Sequence, residues 1–224
     1  MATKQVTGLS KTTPYLALGG KIKPQEIDLA FQYVVTHPSI SASAIVAECS
    51  GTATAGTLTV AYMDYPRTLS MKYVEASGTA AIATATVYGK DQFGTVISEA
   101  FVNTNLGTVT VEGTKIFAYV GTVTLGGAST AAGDDVAIGY SSAGGTAQFG
   151  LPWKVGAASD VKSSLWSDNS AACKQGTCSV STTLHAVKLA VGTISDQDTF
   201  IWLVKPSYRS DDNETGYPAG TVIT

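Results

Sequence analysis

Charge is scarce in this chain. Asp, Glu, Lys and Arg make up 14% of its 224 residues, where a soluble domain typically carries about 25%. A coat so thin in charge does not suit a solitary protein; it suits close-packed strands and extensive contact with other proteins. Histidine and cysteine are scarcer still, with two His (His37, His185) and three Cys (Cys49, Cys173, Cys178). A structural zinc site takes about four N or S ligands, and only His185 lies near the Cys173–Cys178 pair, so neither a metal nor a cofactor is expected. Cys173 and Cys178 flank the turn-like Lys174-Gln175-Gly176-Thr177. A small disulfide loop is geometrically open there, although a reducing cytoplasm favours free thiols. Long apolar runs are missing too, since Thr, Ser or Gly breaks each one well short of the ~18 residues of a membrane helix. The opening Met1-Ala-Thr-Lys-Gln-Val-Thr-Gly8 lacks the apolar core of a signal peptide. The expectation is a chain made and assembled in a cytoplasm, with no membrane partner.

Catalytic patterns are thin as well. There is no Gly-x-Ser-x-Gly elbow, and His185, within Leu184-His-Ala-Val187, reads as a packed strand residue. The carboxylate pairs Asp134-Asp135, Asp196 with Asp198, and Asp211-Asp212 fall in turn-like segments. Glycosidase chemistry needs two carboxyls flanking one bond, which sequence spacing does not establish. Ser210-Asp-Asp-Asn-Glu-Thr-Gly216 lacks the ligand spacing of a helix-loop-helix calcium site and reads as a solvated acidic loop. No catalytic residue is expected, and a glycan hydrolase on a β scaffold ranks last among the functions weighed.

What is present is a strand grammar. Hydrophobic residues reach 44%, with 23 Gly, a balance that excludes a disordered chain. In Ala83–Phe101, Ala83, Ala85 and Val87 alternate with Thr84, Thr86 and Tyr88. Gly89-Lys-Asp-Gln-Phe-Gly94 breaks the run, and a second alternating segment follows. Period-two alternation bounded by Gly and Asp predicts a half-buried antiparallel hairpin. In its turn Gly89 and Gly94 supply unusual backbone angles, and Asp91 bonds the turn backbone. Similar runs span 58–62, 67–74, 115–125, 135–139, 180–191 and 199–204, with turn signals at Asp64-Tyr65-Pro66, Ala76-Ser77-Gly78 and Asn103–Gly107. Short strands with regular turns predict an all-β chain, an antiparallel β-sandwich, jelly-roll-like or barrel, in one domain or two. The division is an N-terminal arm and lead-in over 1–40, a β core over 41–125, and a second β region over 126–224 that could belong to the same domain. In the lead-in, Pro24 followed by Glu26 and Asp28, with Ile27, Phe31 and Val34 at i, i+4 and i+7, fits one short helix. Alternation at Phe31, Tyr33 and Val35 fits a strand equally well.

The net charge of −3 is unevenly spread. Lys4, Lys11, Lys21 and Lys23 precede the first acid, Glu26, leaving 10 basic and 17 acidic residues in the remainder, or −7. These lysines are dispersed among Leu, Tyr, Gly and Thr and the domain is acidic, the opposite of a nucleic-acid footprint. The arm reads instead as a docking element for an acidic neighbour, or as a solvated strand. Trp153, Trp166 and Trp202 all fall in the last third. Trp202 belongs in a core, while Trp153 fits either a core or an interface anchor.

Pro66-Arg67-Thr68-Leu69, then Thr86-Val-Tyr-Gly-Lys-Asp-Gln-Phe-Gly94, then Ile97-Ser98-Glu99 resemble β-rich virion proteins of tailed bacteriophages. There, a Pro-Arg-led strand precedes a Gly-x-Asp-x-x-Gly hairpin and a Ser-Glu. Lys115-Ile-Phe117, Asp135–Gly139 and Gly150-Leu151-Pro152 are similar to later segments of the same proteins, so the likeness covers about residues 60 to 155. It implies a capsid decoration (cement) protein on the virion surface, bound to the major capsid protein and to itself as a homotrimer, and it carries no catalytic residues. The alternatives are a tail tube subunit or a glycan-binding adhesin. Under this likeness Lys4, Lys11, Lys21 and Lys23 become candidates for capsid docking. Arg67, Glu99 and Trp153 become candidate interface residues. Arg67 and Glu99 read as surface side chains, each open to pairing across subunits.

Overall fold

The computed structural model describes residues 30–50, 55–74, 83–103, 107–126, 134–143, 146–168, 174–189 and 194–205. The described residues form sixteen strands and no α-helix. In chain order they are β1 (Phe31–Thr36), β2 (Val46–Ser50), β3 (Ala55–Gly56), β4 (Tyr62–Arg67), β5 (Leu69–Val74), β6 (Ala83–Lys90), β7 (Val96–Asn103), β8 (Val109–Glu112), β9 (Phe117–Gly126), β10 (Asp135–Tyr140), β11 (Gln148–Gly150), β12 (Val161–Ser167), β13 (Lys174–Gln175), β14 (Cys178–Ser181), β15 (Ala186–Leu189) and β16 (Thr199–Val204). The expected all-β class is what folds, and among the described residues it makes three antiparallel sheets and no closed barrel.

One eight-stranded sheet runs β14-β15-β11-β4-β9-β6-β7, with β3 continuing the line of β4 along β9. Two four-stranded sheets, β2-β10-β5-β8 and β1-β16-β12-β13, each cover one end of it. The first cover lays Leu69, Met71, Tyr73, Val136 and Ile138 against Ala85, Val87, Phe101, Phe117 and Val123. The second lays Tyr33, Val35, Phe200, Trp202 and Val204 against Phe149, Leu151 and Val187. The described residues thus hold two cores under one shared sheet.

The hairpin of β6 and β7 pairs in unbroken register from Ala83 opposite Asn103 to Lys90 opposite Val96. Asp91 organises its turn as the sequence predicts, its Oδ1 accepting from the Phe93 and Thr95 amides at 2.8 Å each. Gly94 takes the left-handed angle, φ 87°. Gly89 serves a different need. It marks a register shift against β9, and a Cβ there would lie 2.0 Å from the Tyr119 carbonyl oxygen, so close backbone approach requires glycine.

Several local expectations are redrawn. The run expected over 58–62 supplies only a single bridge from Leu58 to Val46 before β4 begins at Tyr62, and the run over 180–191 is broken by a turn at 182–185. Of the helix weighed over 24–34, residues 24–29 lie outside the described residues. Phe31 and Val34, however, belong to strand β1, paired with β16 from Phe31 opposite Val204 to Thr36 opposite Thr199. The alternating reading wins because burying Tyr33 and Val35 on one sheet face gains more than a lone helical turn. Asp64-Tyr65-Pro66, read as a turn, lies inside β4. Proline is tolerated there because the ladder with β9 is irregular between Tyr62 and Arg67.

Candidate interaction surface

Arg67 is not a surface residue. Only 1% exposed, it sits where the chain leaves β4 in the long sheet and, across the buried Thr68, enters β5 in the first cover sheet. Thr68 fastens this corner through its amide to the Gln148 carbonyl, its carbonyl to the Ser141 amide and its hydroxyl to the Gln148 amide. The Arg67 guanidinium pairs with Asp64 at 3.2 Å and donates to the Ser141 carbonyl at 3.2 Å. Its flat faces lie 4.5 Å from the ring centre of Tyr140 and 5.0 Å from that of Phe149. Tyr140 belongs to the first core and Phe149 to the second, so one delocalised cation fills the joint between them. Burial pulls the guanidinium's pKa down and Asp64 opposes that pull. The surface reading failed because a cation is mostly exposed unless paired, and its partners Asp64, Tyr140 and Phe149 are not evident from sequence order.

Glu99 is corrected in the same way. At 8% exposed, it points into the first core. One carboxylate oxygen accepts from the Thr114 amide at 2.6 Å and hydroxyl at 2.9 Å, and the Lys115 amide donates to the carboxylate at 3.2 Å. These donors close the loop between β8 and β9 onto β7, so Glu99 is a structural anchor. Trp153 is half-buried, packed against the second core and stacked on Phe31 with ring centres 5.0 Å apart. Trp202 is a core residue, as expected. His185 lies in the turn before β15 at φ 49°, edge-on to Phe93 and 3.2 Å from the Val155 amide; it is packed, but in a turn and not a strand. Lys4, Lys11, Lys21, Lys23 and Cys173 lie outside the described residues. Among the described residues no cluster of three or more His, Cys, Asp or Glu could hold a metal ion.

The feature that sequence reading missed is the outer face of the long sheet. Thr84, Thr86 and Tyr88 of β6 stand opposite Val102, Ala100 and Ser98 of β7, and opposite Gly126, Thr124 and Thr122 of β9. Residues directly opposite share a face. Beyond Gly89, Lys90 stands opposite Val96 and Tyr119, and Tyr119 opposite Tyr62. Tyr62 and Val96 are each 76% exposed, and the Tyr62 and Tyr119 rings meet at 4.9 Å. Over β6, β7, β9 and Tyr62 this face bears hydroxyls, tyrosine rings and methyls, one lysine and no acid. The alternating Thr and Ser were visible in the sequence. Their alignment over adjacent strands was not, because it depends on the register of β6 with β9, across the β7 hairpin and β8. No family model, curated protein or solved structure matches the chain.

Proposed function

We propose that this chain is a structural virion subunit, a decoration protein that binds the outside of a tailed-phage capsid and ties neighbouring shell subunits together. The observation that carries the reading is the acid-free outer face of β6, β7 and β9, rich in hydroxyls and tyrosine. Charge depletion with aromatic enrichment characterises the centres of protein interfaces. The ordered likeness of residues 66–99 to phage virion proteins supports the same reading, and the four-lysine arm adds a second docking element. Stabilisation would come from many modest contacts repeated over the lattice, since partner binding raises apparent stability by mass action.

The first test is the copy number of the chain in purified particles, by quantitative mass spectrometry against the most abundant shell protein. A ratio near unity is the expected result; a few copies per particle would move the assignment to the tail. With capsids stripped of the chain, the Thr86→Glu/Thr124→Glu variant should co-sediment at least ~10-fold more weakly than the unmodified protein, a loss of about 1.4 kcal/mol. Deleting residues 2–23 should abolish binding and leave the β fold intact by circular dichroism. The exposed Tyr62–Tyr119 pair favours a second reading, a glycan-binding adhesin, because stacked rings beside hydroxyls suit sugar rings. Retarded migration in a gel containing a neutral polysaccharide, lost in Tyr62→Ala, would select it.

A further inference from the structure

β7 ends the long sheet, and among the described residues no strand lies beyond it. Which of its backbone groups face the open side follows from the hairpin's closing bond. The Asp91 amide donates to the Thr95 carbonyl at 3.0 Å, and bonded and unbonded pairs alternate along an antiparallel ladder. Gly89–Ile97 and Val87–Glu99 are therefore bonded pairs, while Lys90–Val96, Tyr88–Ser98, Thr86–Ala100 and Thr84–Val102 are not. The N–H and C=O groups of Val96, Ser98, Ala100 and Val102 accordingly point away from β6. A separate contact agrees with this assignment, for the Lys115 ammonium donates to the Ser98 carbonyl at 2.5 Å.

The same four residues hold their side chains in solvent, Val96 at 76% and Val102 at 49% exposure. The strand's one acid, Glu99, is turned into its own core and bound by Thr114 and Lys115. Eight residues of edge thus carry no exposed charge of their own. Such an edge is a template for another strand, and a lysine laid across it is a common guard.

We propose that β7 is a self-pairing edge, joining β7 of a second copy in antiparallel register about a two-fold axis at Glu99, with Lys115 as the gate that keeps the pairing weak. This register sets Val96 opposite Val102 of the second copy and Ser98 opposite its Ala100, each twice by symmetry. All four outward-facing residues then find partners, and both ends of the seam carry a β-branched pair. The occupant is a second copy because the edge is complementary to itself and offers a charged strand nothing to pair with except the gate. The seam's size sets its strength. Eight residues span about 27 Å, and a contact one strand wide buries less than the ~800 Å² per partner of a standard stable complex. Lys115 weakens it further, because its ammonium occupies the carbonyl that the second copy's Ala100 amide would use, and the two lysines converge near the axis.

Sedimentation velocity of the full-length protein, over micromolar to submillimolar concentrations, tests this directly. Lys115→Met should lower the dimer dissociation constant by at least ~10-fold relative to the unmodified chain. Adding Val96→Lys to that variant should return it to monomer. Adding Ala100→Pro should do the same by removing one outward N–H, a change an edge position tolerates. Far-UV circular dichroism establishes that each variant is folded. A Lys115→Met protein that stays monomeric overturns the proposal. So does a dimer that survives both second substitutions, or a trimer indifferent to them. Because the free protein is measured, the result is independent of capsid binding, and either proposal can fail alone.

Discussion

The two cores lie under one sheet and each buries four aromatic side chains, but they arrange them differently. The first is mainly aliphatic, with Val, Ile, Leu, Met and Ala between the β5-β10 cover and β6-β9-β7. In the second, aromatic rings touch one another. Tyr33 stacks on Trp202 at 5.8 Å, and Phe149, Phe200 and Trp202 lie within 6.0 Å of each other by ring centres. The first core is assembled on the eight-residue strands β6 and β7 and the ten-residue β9, whose alternation positions methyl groups repeatedly. Beneath the second lie the three-residue β11 and four-residue β15, which provide few inward positions. Large rings compensate, since each aromatic buries about 150–250 Å². Where strands are short, side-chain size replaces strand length.

The largest effect should come from breaking the joint. Arg67→Ala removes a cation held between Tyr140 and Phe149 and leaves Asp64 only the Ser39 and Tyr65 amides as partners. The expected loss is about 5 kcal/mol, the top of the range for removing one partner of a buried pair, because ring contacts go as well. All three tryptophans belong to or pack against the second core, so tryptophan fluorescence reports that core alone, whereas far-UV circular dichroism reports both. In urea the two signals should coincide for the unmodified protein and separate in Arg67→Ala. Coincident transitions in the variant would mean that the shared sheet, and not Arg67, couples the cores.

A smaller effect should distinguish the cores from each other. Trp202→Ala and Phe101→Ala each empty a buried site, one per core, at about 4 kcal/mol. Their repair should differ. Phe101→Leu should recover most of the loss, because aliphatic neighbours accommodate a branched chain. Trp202→Leu should recover less than half, because a leucine takes a ring contact from each of Tyr33, Phe149 and Phe200. Equal recovery in urea titrations would remove the distinction drawn between dispersed and touching rings.

The same contrast explains what could be read from the sequence. The first core was legible because alternation at Ala83–Tyr88 and the Asp91–Gly94 turn are local signals, and register follows from them. The second was less so. β1 competed with a helix, and Phe149, Phe200 and Tyr33 come together only through pairings between segments as distant as Phe31 and Val204. Gly89 and Gly94 looked alike, yet one relieves a steric approach and the other a backbone angle. The candidate surface was half-visible, its residue types present but its assembly across β6, β7 and β9 not. Arg67 and Glu99 were misplaced because local sequence carries a residue's type but not the distant donors and rings that satisfy it in the interior.

The smallest effect has the opposite sign and also belongs to the second core. The Tyr33 hydroxyl is buried with no hydrogen-bond partner among the described residues, a defect that filling a core with large amphipathic rings readily produces. Leaving such a group unmatched costs about 1–3 kcal/mol, so Tyr33→Phe, which keeps the ring and its stacking on Trp202, should stabilise the protein by about 1 kcal/mol. The phenol also gives the change a pH signature. Burial, helped by nearby Tyr65 and Asp64 and opposed by Arg67, pushes its pKa above the ordinary value of 10.0. A group whose folded-state pKa is raised contributes stability that is intact below the ordinary value and lost as pH climbs beyond it. The unmodified protein should therefore weaken above pH 10.0 more steeply than Tyr33→Phe, and the gap between their urea midpoints should widen with alkalinity. A gap that stays constant would mean that the hydroxyl finds water when the protein is in solution, and the second core would then be as well satisfied as the first.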